Sequence, residues 1–516
     1  SSGEQLDHAL DQLVAAELVF RRGAPPDATY TFKHALVQEA AYNSLLKSRR
    51  QQLHARIAKV LEEQLPEVAA IRPEVLARHL TAAGLTDKAV GYWHRAGEQA
   101  AERFAHREAI AQLSTALDLL KSMPDTPERV REEIRLQNAL GVSLVATRGP
   151  APEVAQASMR ARELAERIGD TRQAYAAVWG LWYFNHMRMK FKAARDLSYE
   201  LLELARREQD KELLLQAHHA AWPCLLYGGE FLLSREHTEQ GFALYNPQEH
   251  NSHALRYGGH DPGVCCRYHG ALALWLLGWP DQATAMAHDA VRLATDLAQP
   301  FSLAIALGYV SFLHQFRGEA QLAQEQAEAT IARSAEQAFF QYRPTGIVIR
   351  GWAVAAQGDP EAGTAGIEEG LAALRVAGAD VRRSYFLALL ADVCRRAGRL
   401  EAAQSAIAEA LAFAEESGER WWEADLHRLK GELLLDRSAP NRAEAEACFR
   451  RALELAHRQS AKGFELRAAA SLARLWRDQG KRGEAYELLA PVYGWFTEGF
   501  DTADLKDAKA LLDELR

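Results

Sequence analysis

The densest set of potential metal ligands in this chain is His250, His253, His260, Cys265, Cys266 and His269. Zinc takes four nitrogen or sulfur ligands in a tetrahedral array. Cys265 and Cys266 are adjacent, so on a helix they point roughly 100° apart and do not grip one ion together without local unwinding. Cys266 and His269, three residues apart, share a face. The competing reading is a helix start with one buried cysteine, preceded by solvated loop histidines. That reading is the expectation here, with no metal and no cofactor. Cys266 near histidine also resembles a nucleophile and its base, but no oxyanion donor or orienting carboxylate can be placed, so a structural cysteine is expected. No G-x-x-x-x-G-K-[ST] loop is present to cradle phosphates. Gly480-Lys481 lacks the upstream glycine, because position 475 is Leu. The chain is therefore expected not to be an enzyme.

Recognition is better represented than catalysis. Eleven tryptophans are many for a chain of this composition, and Trp, Tyr and Arg are the side chains that anchor interfaces. Trp179, Trp182, Tyr183 and His186 fall at helical spacing, as do Tyr268 and Trp275. Phe312, Trp352 and Tyr385 occupy comparable offsets before Gly318, Gly358 and Gly398. These residues, with Arg395, are the candidate lining of a partner-binding groove, although any single aromatic among them is more often a core residue. Arg382-Arg383, Arg395-Arg396 and Arg474 with Arg477 place cations that could hold an acidic peptide or a phosphate, or simply form a solvated helix surface.

The elements that would position these residues are set by a repeat. Ala109, Ala155, Ala194, Ser234, Ala283, Ala323, Gly363, Ala403, Ala445 and Ala485 recur at a step close to forty residues. Glycines precede several of them by five: Gly229 before Ser234, Gly278 before Ala283, Gly318 before Ala323, Gly358 before Gly363, and Gly480 before Ala485. A turn-forming glycine followed by small residues on the next helix is the tetratricopeptide (TPR) pattern, here with longer helices than the usual unit of about 34 residues. HEAT-type repeats match the period but lack this small-residue grammar. The fold expected is all-α, a TPR-like superhelical solenoid of about ten helix pairs over residues 81–516. Asn246 to Gly263 is the longest irregular stretch and ends in Asp261-Pro262, a cap followed by proline at the first helical position. Residues 1–80 do not fit the repeat. They read as an amphipathic helix through Leu6–Leu18, strands at Val19–Arg22 and Tyr30–Phe32 flanking a turn at Gly23–Asp27, then two helices. This is a small winged-helix-like α/β remnant with connector helices.

Composition agrees with a folded repeat protein: 516 residues, 48% hydrophobic, 25% charged, net charge −8. Nothing basic advertises nucleic acid, and Ser48-Arg49-Arg50 is not expected to contact DNA. Five cysteines without a C-x-x-C suit a reducing, cytoplasmic setting. No run is long enough to span a membrane. The start, Ser1-Ser2-Gly3, has neither methionine nor a signal pattern and suggests a fragment of a longer chain.

The segment from Tyr30-Thr31-Phe32-Lys33-His34 through Tyr42, followed by Arg50 and His54, resembles the junction after the ATPase module of bacterial STAND-class signalling ATPases. These are often fused to class III adenylate/guanylate cyclase domains and carry a C-terminal TPR array. Gly258–Val264, Trp421–Leu434 and Tyr493–Thr502 resemble parts of that array. The resemblance implies a regulatory, non-catalytic region that binds a protein or peptide, or the protein's own ATPase module, in its concave groove. Two alternatives stand beside it. One is a small-molecule sensor like that of maltose-regulator-type ATPases, with its pocket between Trp179–Trp182 and the 246–263 loop. The other is a multimerising scaffold, which the charged outer face of a last helix near 504–515 disfavours.

Overall fold

A computed structural model describes residues 3–25, 28–250, 253–257, 259–336, 342–437 and 441–516. Pro26 and Asp27 of the expected first turn, and Gly258 of the long connection, lie outside these. The chain divides into two compact units, Ser1–Gln99 with Ala111–Pro124, and Ala100–Ile110 with Asp125–Arg516.

The first unit opens with the helix Gly3–Ala15. Strands Val19–Arg22 and Thr29–Phe32 follow, paired antiparallel with Val19 opposite Phe32 and Arg22 opposite Thr29. Helices Ala35–Ser44, Lys47–Glu63, Pro66–Ile71, Pro73–Ala83 and Thr86–Glu102 follow. The junction residues touch one another. The Tyr42 hydroxyl lies 3.0 Å from His54 Nε2, and the Arg50 guanidinium sits 4.9 Å from the Tyr42 ring centroid. His54 in turn meets His79 at 2.8 Å, which ties the helix Lys47–Glu63 to Pro73–Ala83. The first part of this unit buries little, with Leu36 80% exposed and Phe20 and Leu46 also exposed, whereas Leu76, Leu80 and Trp93 further along are buried.

The second unit is an all-α, TPR-like stack of helix pairs. Its first helices are Pro127–Arg148, Thr171–Met187, Lys211–Tyr227, Pro262–Leu277, Pro300–Arg317, Tyr342–Ala356, Arg383–Arg396, Glu423–Leu435 and Lys462–Asp478, each followed by a partner, and Ala503–Leu515 caps the series. The capping helix buries Leu505, Leu511 and Leu515. No helix among the described residues is long and apolar enough to cross a membrane. The boundaries follow local chemistry. Proline stands at the start of Pro152–Ile168, Pro262–Leu277, Pro280–Asp296 and Pro360–Ala377. The Asp261 carboxylate accepts the Val264 N–H at 3.0 Å. The 246–263 connection is less irregular than its composition suggests, for it contains the helical turns Pro247–His250 and His253–Arg256.

All ten small repeat residues are buried. They let paired helices approach closely, and the approach is closest between Tyr342–Ala356 and Pro360–Ala377. A Cβ on Gly351 would stand 2.7 Å from the Gly363 carbonyl oxygen, and one on Gly363 would stand 2.6 Å from that of Gly351. The obstacle is backbone on both sides, which cannot rotate away.

One feature departs from a simple solenoid, in which each repeat packs only on its neighbours. The Met187 carbonyl accepts the N–H groups of Asp380 and Val381 at 2.9 and 3.2 Å. The Tyr227 carbonyl accepts those of Arg420 and Trp421 at 2.8 and 3.2 Å. In both cases the end of one first helix meets the start of the first helix five pairs later. The register continues. Gly278 abuts Lys462, and Arg317 reaches Asp501 at 2.9 Å. Glu498 accepts the backbone N–H groups of Asp281 and Gln282 at 3.0 and 3.1 Å, capping the helix Pro280–Asp296 from 217 residues away. Successive turns of the stack are thus in direct contact, and one continuous apolar core runs from Leu144 to Phe464.

Substituting Gly351→Ala forces backbone apart and is expected to cost roughly 2–3 kcal/mol, the upper range for overpacking. Gly91→Ala meets nothing within 4 Å and lies in the interior of the helix Thr86–Glu102, so it should stabilise by about 0.5–1 kcal/mol. Thermal unfolding of the two variants checks this; a Gly351→Ala protein as stable as wild type would refute the backbone contact.

Candidate functional site

The turn-on-turn contact decides where the predicted groove residues lie. Trp179, Trp182, Tyr183, His186, Tyr268, Trp275, Phe312, Trp352 and Tyr385 are all buried. Trp179 stacks on Tyr183, with ring centroids 6.0 Å apart, and also meets Tyr257 at 5.6 Å. Trp182 stacks on His186 at 5.1 Å. Tyr268 stacks on Tyr309 at 4.0 Å, and Trp275 packs on Phe316 at 4.6 Å. Tyr385 lies between Phe312, Trp421 and Trp422. In this conformation their rings fill the inside of the stack.

Arg382 completes this filling. It is 4% exposed and adopts a left-handed backbone at φ 70°. Its guanidinium donates to the hydroxyls of Tyr309 at 2.9 Å and Tyr227 at 3.3 Å. Its backbone N–H and that of Ser384 both donate to the Glu419 carboxylate. Burial pushes the Glu419 carboxyl up to about 7, despite these donors. His186, packed in the same interior, is held at about 3 by burial and by the Arg382 charge.

The open part of the stack lies further along. A cleft of about 290 Å³ is lined by the first helices Arg383–Arg396, Glu423–Leu435 and Lys462–Asp478 and by the capping helix. It includes Trp352 and Arg395 of the predicted set. Its walls carry a chain of alternating charges. Arg395 reaches Glu432 at 3.2 Å and Asp436 at 2.7 Å. Glu432 also accepts from Arg428 at 2.7 Å and from the Ser471 hydroxyl at 3.0 Å. Arg428 donates to Asp425 at 2.6 Å, and Arg467 donates to Asp504 at 2.7 Å and to the Phe316 carbonyl at 2.9 Å. Arg474 pairs with Asp507.

Burial would raise the Asp425 carboxyl, but Arg428 and Arg467 beside it hold it below the usual carboxylate range. Glu432 is likewise held low, against burial, by Arg428 and Arg395. The arginines that could have formed a basic patch are therefore paired. Arg383 meets Glu409 at 2.6 Å, Arg396 meets Asp392 at 2.7 Å, and Arg477 meets Glu514 at 2.6 Å. What the cleft presents is a balanced lattice of both signs.

Arg428, Asp425, Glu432 and Arg467 were not singled out from sequence. Their signal is positional. Phe312, Trp352 and Asp392 each stand six residues before a helix-ending glycine, and Glu432 lies forty residues after Asp392. Aromatic gives way to acid between Trp352 and Asp392, where the filled interior gives way to the cleft.

The ligand-rich segment is also rearranged relative to expectation. Cys265, not Cys266, meets His269, at 3.3 Å. The Cys266 thiol points away and donates to the Thr238 carbonyl at 3.0 Å. His250 and His253 are buried rather than solvated.

Among the buried histidines, His186 gives a pH dependence with a definite sign. His186 stays neutral in the fold down to about pH 3, whereas in the unfolded chain it takes up a proton near pH 6.5. Unfolding therefore binds a proton between these values, and stability present above pH 6.5 is lost as pH falls toward 3. His186→Phe should lose less melting temperature than wild type between pH 7 and pH 4. Equal slopes would contradict the buried, neutral assignment.

No protein-family model matches the chain. An uncharacterized protein of Rhizobium meliloti (strain 1021) is 28% identical over 474 residues, covering 91% of this chain and 46% of its own length. The chain thus spans about half the length of the curated relative it matches. Similar solved structures include a Rap protein complexed with Competence and Sporulation Factor (14% identical, TM-score 0.43, 83% of this chain and 99% of that one). The apo form of the quorum sensor NprR from B. thuringiensis is 15% identical, with TM-score 0.44, over 71% of this chain and 99% of that one. Yeast Tom70 is 11% identical, with TM-score 0.33, over 87% of this chain and 96% of that one.

Proposed function

We infer that this chain is a non-catalytic binding and regulatory array, and that its ligand-contacting surface is the charged cleft between residues 383 and 507. One observation carries this reading. The inside of the stack is packed with the protein's own aromatic rings, while the cleft keeps paired arginines and carboxylates on rigid helices beside open space. A guest segment carrying both signs of charge can exchange with these pairs one at a time, so that no buried charge is left alone. Arg395 is suited to begin the exchange, because its side chain is 21% exposed and its partner Asp436 is 40% exposed.

In the fuller reading the array belongs to a STAND-type ATPase or nucleotide-cyclase signalling protein and either senses a protein segment or restrains the ATPase module. The junction residues Tyr42, Arg50 and His54 and the exposed apolar side chains of the first unit support a role for that unit as a joint to a neighbouring module. A small-molecule ligand is the second reading. It is favoured only by the cleft volume, which sits at the low end for such sites.

Selection of random peptides on the whole chain should enrich sequences with interspersed acidic and basic residues. Arg395→Ala should weaken the selected peptide about tenfold or more, the effect of losing one charge-assisted contact. A parallel thermal-shift screen with sugars and nucleotides should leave the melting temperature unchanged. Absence of enrichment, or peptides indifferent to Arg395→Ala, would overturn the cleft as the binding surface.

A further inference from the structure

The geometry points to a zinc-class metal site formed by His219, His260 and Cys265, inside the stack and apart from the charged cleft. The Nε2 atoms of His219 and His260 stand 3.0 Å apart. One ring nitrogen from each histidine and the Cys265 sulfur all lie within 4.8 Å of one another. Metal–nitrogen bonds of about 2.0–2.1 Å and a metal–sulfur bond of about 2.3 Å, at tetrahedral angles, place ligand atoms roughly 3.3–3.7 Å apart. The observed separations, 3.0 Å between the imidazoles and at most 4.8 Å to the sulfur, bracket that range.

The supporting contacts suit ligation. His219 Nδ1 lies 3.0 Å from the Gln216 side-chain oxygen, and the Gln216 amide nitrogen lies 2.9 Å from His253 Nδ1. The amide oxygen needs a proton on His219 Nδ1, which leaves the Nε2 lone pair facing His260 and Cys265. An acceptor of this kind behind the ring is what fixes the tautomer of a metal-bound histidine. The ring is held flat against Trp222, with centroids 5.1 Å apart, and edge-on to Trp179. The segment bearing His260 and Cys265 is pinned on both sides of Asp261. The Asp261 N–H donates to Ser302 Oγ at 2.9 Å, and its carboxylate caps the helix that begins at Pro262.

Two imidazoles and one thiolate, with no oxygen ligand among them, select a borderline or soft ion over magnesium or calcium. The Cys265 thiol loses its proton to solvent when the ion binds, and the fourth position stays open to water or another small ligand. The site draws on residues the cleft does not use, so it stands or falls independently of the proposed binding function.

The test is titration of the full, chelator-treated chain with Co²⁺, followed by Zn²⁺. We expect one equivalent of cobalt, a near-ultraviolet thiolate-to-cobalt band, and loss of that band on adding zinc. Cys265→Ser should abolish the band, and Cys266→Ser should keep it. His260→Gln, a change at a partly exposed side chain, should weaken cobalt binding about tenfold or more with an unchanged circular dichroism spectrum. It thereby tests the site even if Cys265→Ser fails to fold. No thiolate band in the wild-type chain, or a band indifferent to both Cys265→Ser and His260→Gln, would overturn the site.

Discussion

The last carbonyls of a helix have no partner within the helix and must find donors elsewhere. In this protein the first-helix carbonyls of Met187 and Tyr227 find them five helix pairs further along, in the N–H groups of Asp380 and Val381 and of Arg420 and Trp421. Each hydrogen bond contributes only about 1 kcal/mol net. Their larger effect is geometric. They fix the pitch of the stack so that one turn rests on the previous one, and the space inside becomes a core. Tyr227, Tyr309, Tyr385, Trp421 and Trp422 fill it, each large ring contributing about 2–3 kcal/mol of burial. Arg382 follows directly on the Asp380 and Val381 donors, and its guanidinium donates to Tyr227 and Tyr309.

Much of the architecture was legible in the sequence because it is local. The ten small residues mark close helix contacts wherever they occur, and Gly278, Gly318 and Gly398 occupy left-handed positions that only glycine takes cheaply. The Asp261-Pro262 cap and the two strands near residue 20 were readable for the same reason, being set by residues within a few positions of one another. Whether Trp179 or Tyr385 faces a groove or a core was not legible. That depends on contact between residues nearly 200 positions apart, which a forty-residue period does not encode.

The charged cleft and the histidine cluster failed to stand out for related reasons. Asp425, Arg428 and Glu432 have the three- and four-residue spacing of an ordinary solvated helix face. Only their placement opposite Arg395, Arg467 and Ser471 on neighbouring helices turns them into a lattice. His219 sits 41 residues before His260, one repeat away, so a search along the chain for clustered ligands finds His260 and Cys265 without it. In both cases the repeat period itself brings the partners together, and comparison of equivalent positions in successive repeats reveals them.

The proposed binding surface depends on this division of the stack into a filled part and an open one, and the division rests on contact between turns. Amide hydrogen exchange on the whole chain measures that contact most directly. The N–H groups of Val381 and Trp421 lie just before helices, where a free solenoid would leave them to exchange within seconds to minutes. The account predicts protection comparable to mid-helix amides of Lys211–Tyr227. Exchange of both at the rate of an open loop would contradict it.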